Sequence, residues 1–181
     1  MKLTYDELFS QFVMKRLDTI TLSDLMVPID GEYQIDVVSI CNKFNLKIEY
    51  GDYPYSGQCY KDNNTIFVNK FEAPVRQRFT IAHELGHYVL NHSGKPFRIS
   101  DPNKYLINQH IERLANKFAA ELLMPRKLMI HLLLKHIESN NWDSNELTDR
   151  QIDQLTKQVA IDLNVSKEAL TYRIANERIF N

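Results

Sequence analysis

The chain has 181 residues, 44% of them hydrophobic, and a formal net charge of -1. That is enough material for one cored domain without disulfide support, and a charge balance with no general attraction to nucleic acid or anionic membrane. No apolar run approaches the ~18 residues of a membrane span, the N-terminus lacks the apolar core of a signal peptide, and Cys41 and Cys59 form no CxxC pair. The expectation is a soluble cytoplasmic protein whose two cysteines are ordinary small apolar residues.

In chain order, Thr4 to Glu7 forms a capping box, and Leu8, Phe9, Phe12, Val13 and Leu17 continue it as one amphipathic helix. Pro28 and Gly31 break the chain, residues 35 to 44 read as a second helix, and Asn45 is placed to end it in a left-handed conformation. Three short segments follow, at 47 to 50, 57 to 61 and 65 to 69, rich in β-branched and aromatic residues. Asp62-Asn63-Asn64 marks a hairpin between the last two, so the spacing predicts a small, mostly antiparallel sheet.

Pro74 suits the first position of the next helix, whose predicted buried stripe is Val75, Phe79, Ala82, Gly86 and Val89. Gly94 and Pro96 close this segment. Two further apolar helices are predicted over 107 to 123 and 127 to 137, separated by Met124-Pro125, and two more over 149 to 163 and 166 to 179. The last pair resembles a helix-turn-helix. Residues 140 to 181, however, carry five Lys/Arg against seven Asp/Glu, a net of -2, where a duplex-reading pair should be basic. Packing or partner contact is the better expectation.

The chemistry sits in His83-Glu84-Leu85-Gly86-His87. On a helix, residues four apart share a face, so His83 and His87 aim two imidazoles at one point where zinc can bind both. Glu84 falls beside that point and suits a carboxylate that handles protons without being a ligand. Gly86 costs roughly 1 kcal/mol against Ala in a helix, which hints at a second backbone packed close.

A third protein ligand is needed. His92, nine positions after His83, faces away if the helix continues, and Leu90 and Ser93 stand where the metzincin pattern requires Gly and His. Glu112 is the better candidate, with Asn116 one turn on as an acceptor for a histidine N-H and Ala115 and Ala119 as a small-residue surface for close approach. His110 is a weaker substitute ligand, and Glu121, on the opposite side from Glu112, is expected to meet solvent or a salt bridge. For an oxyanion donor the candidates are Tyr60, Tyr88 and His110. The segment from 57 to 69 could hold an extended substrate by strand addition.

Three blocks make the sequence similar to the ImmA/IrrE family of metallopeptidases. They are Asn69 followed by Arg78 to His87, then Glu112-Arg113-Leu114-Ala115-Asn116-Lys117-Phe118-Ala119 running on to Leu123-Met124-Pro125, and finally Val165-Ser166 to Leu170 with Arg173. The likeness covers roughly 35 to 175 and is strongest from 65 to 125. It implies an α+β, zincin-like fold and an intracellular zinc endopeptidase with His83, His87 and Glu112 as ligands and Glu84 as catalytic acid/base. It also implies a protein substrate, typically a helix-turn-helix repressor of a mobile element or stress response. The domain division expected with it is a helical extension over 1–34, a peptidase core over 35–138 and a helical region over 139–181 packed on the core. The competing expectation is a non-catalytic regulator that binds a partner through the same scaffold.

Overall fold

The computed structural model describes residues 3–27, 33–92 and 102–180; Pro28, Gly31, Gly94 and Pro96 lie outside the described residues. The chain is α+β. A two-stranded antiparallel ribbon, β1 (Leu3–Thr4) with β2 (Met26–Val27), flanks two short helices, α1 (Tyr5–Leu8) and α2 (Gln11–Met14). One continuous helix was expected here. It is interrupted because Ser10 adopts an extended backbone and caps α2, its Oγ accepting from the Val13 N–H at 3.2 Å. The same hydroxyl donates to Glu121, which also pairs with Lys117 Nζ at 2.9 Å. Glu121 is therefore buried and paired, not turned to solvent.

Helix α3 (Val37–Lys43) ends at Asn45, φ 56°, and leads into a three-stranded sheet of β3 (Lys47–Gly51), β4 (Gly57–Tyr60) and β5 (Thr65–Asn69). Its order is β3-β5-β4, with β3 parallel and β4 antiparallel to β5. The sheet is thus mixed, where a mostly antiparallel one was expected. Strand β5 takes the centre because Ile66 and Val68 are fully buried, whereas β3 exposes most of its side chains and suits an edge. Placing β5 between them forces residues 52 to 56 to arch over its end. Asn69 holds that arch, its N–H donating to Ser56 O at 2.9 Å and its amide to Tyr53 O at 2.7 Å. The β4–β5 hairpin turns through a 3-10 turn and left-handed Asn64, φ 50°.

Five helices follow: α4 (Pro74–Val89), α5 (Pro102–Leu123), α6 (Arg126–Ser139), α7 (Asp149–Leu163) and α8 (Lys167–Glu177). Helix α4 lies between the sheet and α5. Its buried surface is wider than the predicted stripe: Ile81 and Leu85 enter the core beneath the sheet, Ala82 and Gly86 meet α5, and Val75, Phe79 and Val89 are only half-buried. A Cβ on Gly86 would lie 3.2 Å from Ala115 O and 3.3 Å from Ala115 Cα, so the backbones of α4 and α5 do pack closely at that point.

Arg78, on α4, fastens the C-terminal helices to this core. Its guanidinium donates to Leu163 O at 3.2 Å, Asn164 O at 3.3 Å and Ile35 O at 2.5 Å. Arg173 Nε adds a bond to Met124 O at 3.3 Å. Among the described residues no helix is long and apolar enough to cross a membrane.

Candidate metal and catalytic site

Going round α4 at about 100° per residue, four pairs of side chains face four surroundings in turn. Thr80 and Glu84 meet β4, Ile81 and Leu85 the core, Ala82 and Gly86 meet α5, and His83 and His87 open into a cleft of about 590 Å³ between β4 and α5. The first pair is accommodated because β4 carries a glycine. A Cβ on Gly57 would lie 2.3 Å from Thr80 Cγ2 and 3.3 Å from Glu84 Cγ.

His83 Nε2 and His87 Nε2 are 2.9 Å apart. Glu112, from α5, places its carboxylate oxygens 3.3 Å from His83 Nε2 and 3.5 Å from His87 Nε2. Donors sharing one tetrahedral ion through bonds of about 2.0–2.1 Å stand about 3.3 Å apart. The spacing and donor types of these three residues therefore fit a single zinc-sized cation, and they are the group of His, Cys, Asp and Glu that could hold a metal among the described residues.

Neighbours orient both rings. His83 Nδ1 lies 2.9 Å from Asn116 Oδ1. With Nδ1–H donated there, the His83 Nε2 lone pair is left facing the cluster. His87 Nδ1 lies 3.2 Å from His92 Nδ1. His92 thus stands behind His87 and not on the far side of the helix, because α4 ends sooner than its pattern suggests. Asn91 is left-handed (φ 56°), and His92 N–H donates back to His87 O at 3.0 Å. Lys61 Nζ donates to Asn91 Oδ1 at 2.8 Å and steadies that turn.

Burial lowers the pKa of His83, and it pushes His87 down to about 3 with help from the neighbouring His83, His92 and Lys61 charges. Both rings are therefore neutral at physiological pH, the form that binds metal. Glu84 is shifted the other way. Burial raises its carboxyl to about 7, opposed by the Cys59 N–H, which donates to Oε2 at 2.8 Å, and reinforced by Glu112. An acid with a near-neutral pKa follows one neutral imidazole directly and precedes the other by three residues.

Of the remaining residues singled out from sequence, Tyr88 lines the cleft, packed edge-on to Phe44 with Lys61 Nζ 5.7 Å above its ring. Tyr60 and His110 are exposed and lie outside the residues that line it; the Tyr60 hydroxyl donates to Gln58 at 3.0 Å. Tyr55, carried in by the arch over β5, lines the cleft and was not anticipated. Its position depends on strand order, which no local sequence signal gives. His92 could have been found from Asn91, the residue type that ends α3 and α7 in the same conformation.

Residues 41–175 match the peptidase M78 family model, described as an IrrE N-terminal-like domain. The chain is similar to the radiation response metalloprotease IrrE of Deinococcus radiodurans, 32% identical over 114 residues that make up 61% of this chain and 31% of that protein. It is also similar to the metallopeptidase ImmA of Bacillus subtilis, 40% identical over 68 residues, 38% of each chain. The chain therefore spans less than two-fifths of these relatives' own length. Among solved structures, a Mycobacterium tuberculosis transcriptional regulator shares the fold with a TM-score of 0.53 at 14% identity, over 91% of this chain and 46% of that one.

Proposed function

Because the chain belongs to the peptidase M78 family of IrrE N-terminal-like domains, we propose that it is a zinc-dependent endopeptidase of zincin-like fold acting on a protein substrate. The observation that carries this reading is the convergence of His83, His87 and Glu112 at 2.9–3.5 Å, with Glu84 held beside them but turned to β4. Two imidazoles and a carboxylate favour zinc on ligand type. When bound there, zinc supplies Lewis-acid polarisation of a carbonyl and brings water toward a neutral pKa.

Glu84 is then the proton carrier. Its carboxyl, which burial raises to about 7 in the metal-free protein, would accept a proton from the attacking water and return one to the leaving amide nitrogen. The Cys59 N–H fixes one of its oxygens and so sets the direction from which it works. Tyr88 and Tyr55, which both line the cleft, are the candidate hydroxyl donors for the developing oxyanion.

An extended chain suits the cleft better than a small molecule does. From Arg76 to Tyr88 the cleft follows α4 for about 18 Å, the reach of about five extended residues, and its wall includes β4, an outer strand of the sheet. The Cys59 N–H points away from β5, and alternation puts the main-chain groups of Gly57 on that same outer edge, ready for strand addition. On the family resemblance, the substrate is a helix-turn-helix repressor of a mobile element or stress response, cut in the cytoplasm. Burial pushes the Cys41 thiol up to about 12 and the Cys59 thiol to about 11, which leaves both unreactive. Residues 35–138 are the catalytic core in this reading, with 139–181 docked on it and 1–34 as an extension.

Glu84→Gln is the test, because the change keeps shape and the metal ligands while removing the proton carrier. Cleavage of the repressor falls by about 10²–10⁴-fold with zinc content unchanged. If the effect on the target persists at full strength with zinc retained, the protein works by binding and the protease reading fails.

A further inference from the structure

A second cavity opens beside the catalytic cleft, and nothing so far gives it a role. Its volume is about 150 Å³, and five apolar residues, Val75, Phe79, Met124, Val165 and Ala169, line it together with Arg76 and Ser166. Arg76 and Phe79 also line the catalytic cleft, so the two spaces share a wall. A space of this size holds a group as large as benzene. The walls are fixed from outside: Arg78 ties the α7–α8 turn to α4 through Leu163 O and Asn164 O, and Arg173 ties α8 to the end of α5 through Met124 O.

Resting on the endopeptidase reading, we propose that this cavity receives an apolar side chain of the substrate, of Leu, Met or Phe size. That side chain belongs to the first or second residue after the hydrolysed bond. The distance follows from Phe79, whose ring centroid lies 6.4 Å from that of His83, while an extended chain advances about 6.6 Å in two residues.

The side of the bond follows from direction. Strand β4 and helix α4 run the same way, since Gly57 abuts Thr80 in the first half of α4 and Lys61 reaches Asn91 beyond its end. A substrate strand antiparallel to β4 therefore carries its C-terminal half toward Val75 and Phe79. The C-terminal helix pair thus acquires a task, because Val165 and Ala169 supply one wall of a specificity pocket.

Two measurements test this. In protein labelled at its methionine methyls, with Met124 assigned through Met124→Leu, benzene shifts the Met124 resonance saturably, and Ala169→Phe, which fills the cavity, abolishes the shift. Separately, the zinc-loaded protein is incubated with a peptide mixture made from denatured cytosolic proteins, and the cut sites are read by mass spectrometry. Leu, Met and Phe are enriched at one of the two positions after the bond. Ala169→Phe and Val75→Phe each lower cutting before those residues by about tenfold or more, while cutting before Gly and Ala continues.

Absence of benzene uptake by the folded wild-type protein overturns the pocket, as does an unchanged preference in both variants. A wild-type protein that holds zinc and takes up benzene yet cuts nothing overturns the endopeptidase reading instead, and the substrate assignment falls with it.

Discussion

Replacing Gly86 by alanine opposes two effects of similar size, and the structure decides between them. Alanine is worth roughly 1 kcal/mol more than glycine inside a helix. Against that, the added Cβ would lie 3.2 Å from Ala115 O, 3.2 Å from Phe118 Cδ1 and 3.3 Å from Ala115 Cα. Two of those three atoms are backbone, so no rotamer change relieves them and α5 itself must retreat by about 0.3 Å, at an overpacking cost of about 1–3 kcal/mol. The net loss of stability in the metal-free protein is therefore small, at most about 2 kcal/mol.

The larger effect falls on the metal. Glu112 lies one turn before Ala115 and Asn116 immediately after it, so both recede from the histidines they face. Coordination distances tolerate only about ±0.2 Å. Zinc affinity accordingly falls by about 10–100-fold, the range seen when groups that orient ligands are disturbed. Competition with a chromophoric chelator measures the affinity, and denaturant unfolding of metal-free protein measures stability. Unchanged zinc affinity together with the full ~1 kcal/mol of added helix stability would refute the reasoning, because α4 and α5 would then have slack where close contact is argued.

Two other predictions concern the same cluster. His92→Phe keeps a ring but removes the acceptor at His87 Nδ1, 3.2 Å away; zinc affinity drops by about 10–100-fold, His92→Gln recovers part of it, and metal-free stability stays level. Equal affinity in His92→Phe would show that His87 is oriented without it. In the metal-free protein, Glu84 keeps a proton when folded that the unfolded chain loses, since its pKa is about 7 against a model value of 4.5. Its contribution to stability is complete below the unfolded value and disappears as pH rises through about 7, so wild type loses stability relative to Glu84→Gln across that window. His87, held near 3, contributes the opposite slope below its ordinary value in both proteins and drops out of the difference. A difference independent of pH, measured by denaturant unfolding, refutes the buried acid.

Local sequence made the helices legible and left the contacts between distant segments less so. The shared face of His83 and His87 follows from a spacing of four, and Pro74, Asn45 and Asn64 mark boundaries through backbone preferences that need no tertiary context. Glu112 was accessible because small residues on its own helix announced a close neighbour. The sheet is mixed and not mostly antiparallel because its most apolar strand, β5, takes the centre between β3 and β4. Thr65 to Val68 is nearly continuous in apolar and β-branched residues while Lys47 to Tyr50 alternates, a contrast that marked β5 as the central strand. The position of His92 was misjudged for a local reason: extending the helical repeat past Asn91 put it on the wrong side.

Arg78 holds distant parts of the chain together. One guanidinium on the metal-binding helix clasps carbonyls at residues 35, 163 and 164, stretches separated by most of the chain. Its charge is shielded from water there, and burial brings its pKa down to about 10. The helix that carries His83 and His87 is thereby joined to segments that precede and follow it in the chain. A chain cut short before residue 163 keeps both histidines but lacks two of the three carbonyls that hold Arg78 on the same helix.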